Sequence, residues 1–262
     1  MQMDLDIYIT TLGRINNQKT WDNLRVSPSI VQCVTTVVQA HELEAFKKAR
    51  PAQRVMALPA HIDNLGATRQ WLIDRGRAEN RKIVLLDDDL DFYVRRDPSD
   101  WRLTTPLQEM LESMFDEISH ALDTHVHVGV SGREGNNRVM DYAVENTRFM
   151  RLLAYRPAAW PEGIRADRVD GMSDFDTNLQ LLRKGYASKV FYRYAQGQPG
   201  TQTPGGCALT RTLATHEAEV NKMCEMHPEF VRKRMKTNKG GGEFGTRPEL
   251  TIYWKKAFDS RP

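Results

Sequence analysis

The first ninety residues switch repeatedly between two hydrophobic periods, and few folds accept that pattern. Leu5 to Thr11 alternates as a short strand, and Ile30 to Val38 is a β-branched run of buried-strand type. Arg54 to Leu58 is another short strand, and Lys82-Ile-Val-Leu-Leu86 a fourth. Between them Arg14 to Ser29 is a polar loop or short helix, while His41 to Ala49 and Asn64 to Glu79 repeat at helical spacing. Parallel strands can be joined only by a crossover, which lies on a face of the sheet. Strand, helix, strand, helix, strand therefore predicts an α/β fold with a mostly parallel sheet covered on both faces. Ligands of such sheets gather at the carboxyl ends of the strands.

The remainder continues in the same style. Leu107 to Leu122 is an amphipathic helix with Met110, Leu111, Met114, Phe115 and Ile118 on one face. Val126 to Val130 and Asn146 to Tyr155 read as strands, with the polar loop Gly132 to Arg138 between them. Asp174 to Lys184 is a helix stopped at Gly185, and Tyr186 to Tyr194 a further strand. Gln196 to Gly206 is a loop, Thr210 to Met226 a helix, Lys239 to Gly242 the most flexible stretch, and Leu250 to Trp254 a last strand. No linker divides the 262 residues, so one domain is expected, with a core over 1–195 and an extension of it over 196–262.

Composition narrows the class. With 40% hydrophobic and 27% charged residues, the chain is neither disordered nor low in complexity. It lacks a run of about 18 apolar residues that would cross a membrane, and its first residues do not read as a secretory leader. Cys33, Cys207 and Cys224 have no C-x-x-C spacing and read as reduced thiols, as in a cytoplasmic protein. The net charge of +3 is unevenly spread: Glu229 to Pro262 holds nine Lys/Arg against four Asp/Glu, leaving the rest at −2. A basic tail on a slightly acidic body suits a polyanionic partner, or is simply a solvated surface run.

The strongest local signal is Asp87-Asp88-Asp89, directly after the apolar strand. Adjacent carboxylates repel unless a cation lies among them. Asp87 and Asp89 share one side of an extended chain, so both can face one hard divalent ion, which could hold a diphosphate. The alternative is an acidic strand exit that aids solubility. Asn64-Leu-Gly66-Ala-Thr-Arg69 opens a helix where a phosphate could approach, although Asn64 also reads as a plain helix cap. Thr10-Thr11-Leu-Gly-Arg14 ends the first strand with a glycine turn and an arginine.

A strand ending in Thr-x-x-Arg, then Asn-x-Gly-x-x-Arg, then Asp-x-Asp, then Ser173-Asp174-Phe-Asp176 before a Leu-rich helix and Gly185-Tyr186, resembles the GT-A (Rossmann-like) nucleotide-sugar glycosyltransferases over roughly residues 5 to 190. The resemblance implies that Thr11, Arg14, Asn64, Arg69 and Asp88 border the nucleotide sugar. It implies that Asp87 and Asp89 hold Mn²⁺ or Mg²⁺, and that Asp174 or Asp176 takes the proton of the acceptor hydroxyl. Ser173 stands where that fold usually has Glu, so the choice between the two aspartates stays open, and both also suit helix capping.

Thr203-Pro-Gly205-Gly206-Cys-Ala-Leu-Thr-Arg211, His227-Pro-Glu-Phe-Val-Arg232 and Trp254-Lys255-Lys256 are similar to segments of the small phage and bacterial glycosyltransferases found beside TET/JBP-type dioxygenases. That resemblance implies transfer from a UDP-sugar, UDP-glucose or UDP-N-acetylglucosamine, to a hydroxymethylated pyrimidine such as 5-hydroxymethylcytosine in DNA. It implies the cytoplasm of a cell, or of a host if a phage encodes the chain, and neither a membrane nor an obligate protein partner. Arg133, Asn136, Asn137, Arg138, Gly205, Gly206, Arg232, Lys233, Arg234, Lys255 and Lys256 are the residues expected on the acceptor and DNA side. Cations neutralise phosphates, and Phe244, Tyr253 and Trp254 could stack on an exposed base.

The histidines are weaker signals. His125-x-His127 could be half of a zinc site but lacks a third ligand, and satisfied or exposed histidines suit it better. His216 or His227 could give a third metal ligand near the donor, or His227 could simply end a helix. Three other functions compete: transfer to a saccharide, lipid or protein on the same fold; a nucleotidyltransferase, disfavoured because no Gly-Gly-x-Gly-x-Arg loop follows the first strand; and a non-catalytic DNA-binding module with a structural acidic cluster.

Overall fold

The computed structural model describes residues 4–97, 100–198, 205–238 and 244–260. The glycine stretch Lys239 to Gly242 and the Thr203-Pro204 pair singled out in the sequence lie outside them. In chain order the first half gives β1 (Asp6–Thr10), α1 (Lys19–Leu24), α2 (Pro28–Val31), β2 (Val34–Val38), α3 (Leu43–Ala49), β3 (Val55–Ala57), α4 (Leu65–Ala78) and β4 (Ile83–Asp87). Then come β5 (Asp91–Asp97), β6 (Asp100–Thr104), α5 (Gln108–Ala121), β7 (His127–Gly132), β8 (Ala143–Glu145), β9 (Leu152–Tyr155), α6 (Ser173–Arg183) and β10 (Ser188–Gly197). The chain continues through α7 (Leu213–Met226), β11 (Val231–Thr237), β12 (Thr246–Ile252) and α8 (Trp254–Asp259).

Ten strands form one sheet in the order β3-β2-β1-β4-β9-β7-β10-β5-β6, with β8 also on β10. β1 is parallel to β2 and β4, and β2 to β3, as the alternation predicts. Beyond β4 the sheet takes antiparallel neighbours through β9 and the β5–β6 hairpin, with β7 and β10 parallel to one another. Successive side chains of a strand face opposite ways, and both faces are filled. Ile7, Ile9, Val84 and Leu86 pack with Leu24, Met114, Phe115 and Ile118 on one side. Tyr8, Ile83 and Leu85 pack with Leu72, Ile73, Tyr155 and Leu181 on the other.

Local chemistry moved three boundaries. Ile30 and Val31 lie in a helical turn, because Ser27 accepts a hydrogen bond from the Ile30 amide at 3.3 Å and Pro28 starts the turn. Residues 146–151 are not strand: Asn146 and Arg151 have φ of 55° and 66°, a left-handed backbone that no ladder accepts. Trp254 begins α8. The C-terminal part packs on α6, where Leu179 and Leu182 meet Val220, Met223, Phe230, Val231 and Ala257. Among the described residues no helix is long and apolar enough to cross a membrane.

Candidate active site

β1 and β4 are neighbours in register, with Thr10 opposite Asp87, so their carboxyl ends emerge side by side. The Thr11 hydroxyl donates to Asp88, and Gln18 donates to Thr11 at 2.9 Å. Arg14 donates to Asp88 at 2.5 Å and to Asp89 at 2.9 Å. Burial pushes the Asp88 carboxyl up, against the opposing pull of Thr11 and Arg14. Arg14 also donates to the Gly205 carbonyl at 3.1 Å. Gly205 and Gly206 have positive φ, and a Cβ on Gly205 would come within 2.4 Å of Arg14. These two glycines cover Arg14 at the first-strand corner, where only a residue without a side chain fits.

Asp87 differs from its two neighbours. Its side chain is 30% exposed, and its facing cation is Arg69 at 3.7 Å. Arg69, buried in α4, reaches across to donate to Ser173 Oγ at the start of α6 at 2.6 Å. Asn64 caps α4 through the Ala67 amide at 2.8 Å, so its side-chain oxygen is committed to the helix start. Burial pushes the Asp87 carboxyl up to about 7 against the pull of Arg69, and the negative charges of Asp89, Asp174 and Asp88 add to the rise. A crowded carboxylate at a cleft is the donor type that a hard divalent cation takes. Among the described residues no three His, Cys, Asp or Glu side chains are set to hold a metal by themselves. Of the two predicted cation ligands, Asp87 is the partly exposed one, while Asp89 is held by Arg14 at 2.9 Å.

The two aspartates of α6 separate cleanly. Asp174 is half-buried beside Asp87, and among the described residues its side chain accepts a local bond from the Phe175 amide at 2.9 Å. Asp176 is fully buried and points the other way. It accepts from Arg168 at 2.5 Å, from His227 at 2.7 Å and from Gln180 at 2.8 Å. Asp176 is therefore corrected from candidate base to structural anchor: its oxygens are spent and no acceptor could reach it. Burial raises its proton affinity, but the bonds from His227 and Arg168 prevail and hold its carboxyl below the usual range. A carboxyl depressed by folding contributes stability above its unfolded pKa of about 3.9, and loses it as pH falls through the folded value. Asp176→Ala is expected to cost about 3 kcal/mol and to lower Tm by about 6–12 °C at pH 7. Calorimetry across pH should show the difference from wild type shrinking in strong acid.

The histidines serve structure. His227 is consumed by Asp176, and His216 donates to the Pro248 carbonyl at 2.8 Å, so neither is a metal ligand. His127 is buried, bonded to the Tyr186 carbonyl at 2.9 Å and held neutral, its pKa pulled down to about 4 by burial. His125 lies two residues before that strand, within 3.5 Å of Glu145.

On the predicted acceptor side, Asn136 is a second correction. It is fully buried, donating to Ser131 Oγ at 2.6 Å and the Tyr192 carbonyl at 2.7 Å while accepting from Arg95 at 3.1 Å. It satisfies a buried guanidinium and offers nothing to a ligand. Arg133, Asn137 and Arg138 are exposed. The basic tail is partly self-neutralised: Lys233 pairs with Glu217 at 2.6 Å, while Arg234, Lys236 and Arg247 all converge on Glu249. Arg232 bonds the Pro228 carbonyl, Lys256 the Glu229 carbonyl at 3.2 Å, and Lys255 is exposed.

Two arginines escaped the sequence reading. The Arg151 carbonyl accepts from the Asp87 amide at 3.1 Å, and its guanidinium lies 3.4 Å from Gln196 and 3.9 Å from Glu134. Arg148 stands over the Phe175 ring at 5.1 Å, in the field of Asp174. Burial pulls the Arg148 pKa down, Asp174 opposes this, and the like charge of Arg151 adds to the depression. A non-glycine residue with left-handed backbone next to a crowded carboxylate is where folds store functional strain. The only sequence cue was two arginines three apart in a segment with strand-like apolar residues.

No curated protein matches the chain in sequence. Among solved structures, a mannosyltransferase from Pyrobaculum calidifontis in complex with GDP-Man and Mn²⁺ aligns at 13% identity with a TM-score of 0.44. The alignment covers 72% of this chain and 54% of that one, so the chain spans about half the length of that relative. A mycobacterial protein aligns at 10% identity and TM-score 0.46, over 98% of this chain and 88% of the other. A mannose-1-phosphate geranyltransferase from Thermus thermophilus aligns at 15% identity and TM-score 0.35, over 85% of this chain and 65% of the other. The model of the TET-associated glycosyltransferase family matches residues 5–206, which include every element from β1 to β10 and both halves of the Asp87–Asp174 cleft. The chain belongs to the TET-associated glycosyltransferase family.

Proposed function

We propose that the protein moves a sugar from a UDP-sugar to the hydroxymethyl group of a modified pyrimidine in DNA, 5-hydroxymethylcytosine, with a divalent cation. The observation that carries this reading is that Asp87 and Asp174 lie close enough to feel one another's charge, with Arg69 3.7 Å from Asp87 and Arg148 in the field of Asp174. Membership of the TET-associated family supports the hydroxymethylated acceptor, since a TET-type oxygenase makes that hydroxyl.

In this reading Thr11, Arg14 and Arg69 border the nucleotide, and Asp87 and Asp89 hold Mn²⁺ or Mg²⁺. A cation bound there offsets the negative charge that collects on the departing diphosphate. The acceptor oxygen attacks the anomeric carbon, the bond from that carbon to the diphosphate oxygen breaks, and Asp174 takes the hydroxyl proton. Asp174 has the freedom for that step because its carboxylate is not tied into the core as Asp176 is. Arg148 and Arg151 lie on the acceptor side, where a phosphate next to the target nucleotide would meet them. The segment over 196–262 is the proposed acceptor-side extension.

A donor-by-acceptor screen tests the reading. Protein and Mn²⁺ are incubated with UDP-glucose or UDP-N-acetylglucosamine and DNA bearing cytosine or 5-hydroxymethylcytosine, followed by nucleoside mass spectrometry. A hexose or N-acetylhexosamine mass gain on the hydroxymethylated base alone is expected. Donor hydrolysis without any gain on DNA would sink the DNA acceptor and leave a saccharide, lipid or protein acceptor on the same site.

A further inference from the structure

The β5–β6 hairpin forms one end of the sheet, and the described part of it carries an unusual surface. Arg96, Trp101, Arg102 and Leu103, with Arg133 and Asn137 from the loop after β7, line a groove of about 460 Å³. Among the described residues that line it three are arginines and none is a carboxylate, with Asp100 close by in the field of Arg96. Arg102 is paired to Asp100 just outside, at 2.9 Å. Trp101 is 42% exposed on the edge strand, where an indole has no folding reason to face water.

The groove lies along the strand that leaves the acidic triplet. Asp91 follows Asp89 by two residues, and it pairs with Gly197 at the end of β10. Gly197 sits beneath Tyr93 and Arg133, which stack on each other at 4.8 Å. From Asp91 to Arg96 is about 16 Å along β5. Arg133 thus touches both Tyr93, two residues along β5 from Asp91, and the groove that Trp101 lines.

We infer that this groove is a track for the single-stranded polynucleotide next to the acceptor base, with Trp101 stacking on a base and Arg96 neutralising a phosphate. The inference rests on the DNA-acceptor reading and adds to it where the strand runs. An enzyme that modifies a base must take it out of the duplex stack or meet it unpaired, and neighbouring nucleotides then need a surface. Aromatic faces stack on any base, and arginines follow the backbone without reading sequence.

The test measures the affinity of a fluorescent single-stranded oligonucleotide with a central 5-hydroxymethylcytosine across a salt series, for wild type, Trp101→Ala, Trp101→Phe and Arg96→Ala. Donor hydrolysis, which needs no acceptor, reports in parallel whether the cleft is intact. Trp101→Ala should weaken binding about tenfold or more, with an unchanged salt slope, and Trp101→Phe should recover most of it. Arg96→Ala should reduce the slope of log K against log salt by about 0.7. If wild type glucosylates DNA but all four proteins share one affinity and one slope, the groove assignment is overturned and the DNA reading stands. If wild type hydrolyses donor yet neither binds nor modifies DNA, both fall together. Binding of anionic vesicles in place of the oligonucleotide would also overturn the assignment.

Discussion

Asp87→Asn should slow sugar transfer by about 10²–10³ and leave thermal stability no lower than wild type. The rate loss corresponds to about 3–4 kcal/mol of transition-state stabilisation, the usual effect of deleting one group aimed at developing charge. The stability half follows from the surroundings. Burial, with Asp89, Asp174 and Asp88 adding to it against the pull of Arg69 at 3.7 Å, disfavours the charged form of Asp87. Initial rates against Mn²⁺ concentration, with differential scanning fluorimetry alongside, give both readings. Chelator should abolish wild-type transfer, and added Mn²⁺ should restore it. Asp89→Asn separates from Asp87→Asn, because it also breaks the ion pair with Arg14 at 2.9 Å and should lower Tm. An Asp87→Asn protein with full activity would reduce the acidic triplet to a solubilising strand exit.

The second large effect concerns Asp174. Asp174→Asn is expected to lower the rate of transfer by about 10²–10⁴, the range for loss of a positioned general base. Tm should hardly move, because the side chain makes one local bond to the Phe175 amide. Asp176→Ala should do the reverse: its damage is to Tm, since it removes the partner of buried His227. Transfer rates per folded molecule, read with Tm for the two variants, decide the assignment. Activity retained in Asp174→Asn would move the proton-accepting role elsewhere or remove it.

These two aspartates show what the sequence could and could not say. Residues two apart on a helix are rotated by about 200°, so one must face away from whatever the other faces. Spacing alone does not tell which of them meets the cleft. The answer depended on Arg168 and His227, eight and fifty-one residues away from Asp176. Asn136 misled for a related reason. A polar residue in a Gly/Asn/Arg loop looks solvent-facing, and nothing local reveals that Arg95 needs it inside the fold. The parallel strands β1, β2 and β4 were legible because burial on both faces leaves unbroken apolar runs. Residues 146–151 were not, because Phe149 and Met150 mimic a strand while left-handed backbone at Asn146 and Arg151 turns the segment out. That turn delivers Arg148 and Arg151 to the cleft, so one reading error hid both a boundary and two site residues.

Among the described residues the β11–β12 hairpin is a two-stranded sheet apart from the ten-stranded one, and it rests on α7. Its length, charge and sequence are therefore decoupled from the register of β1 and β4, which set the positions of Thr11 and Asp87. Related chains could exchange this appendage wholesale, as a tool head is changed on a fixed handle, while the edge that carries Thr11 and Asp87 kept its geometry. Divergence among such enzymes should accordingly be fast in the hairpin and slow at the ends of those two strands.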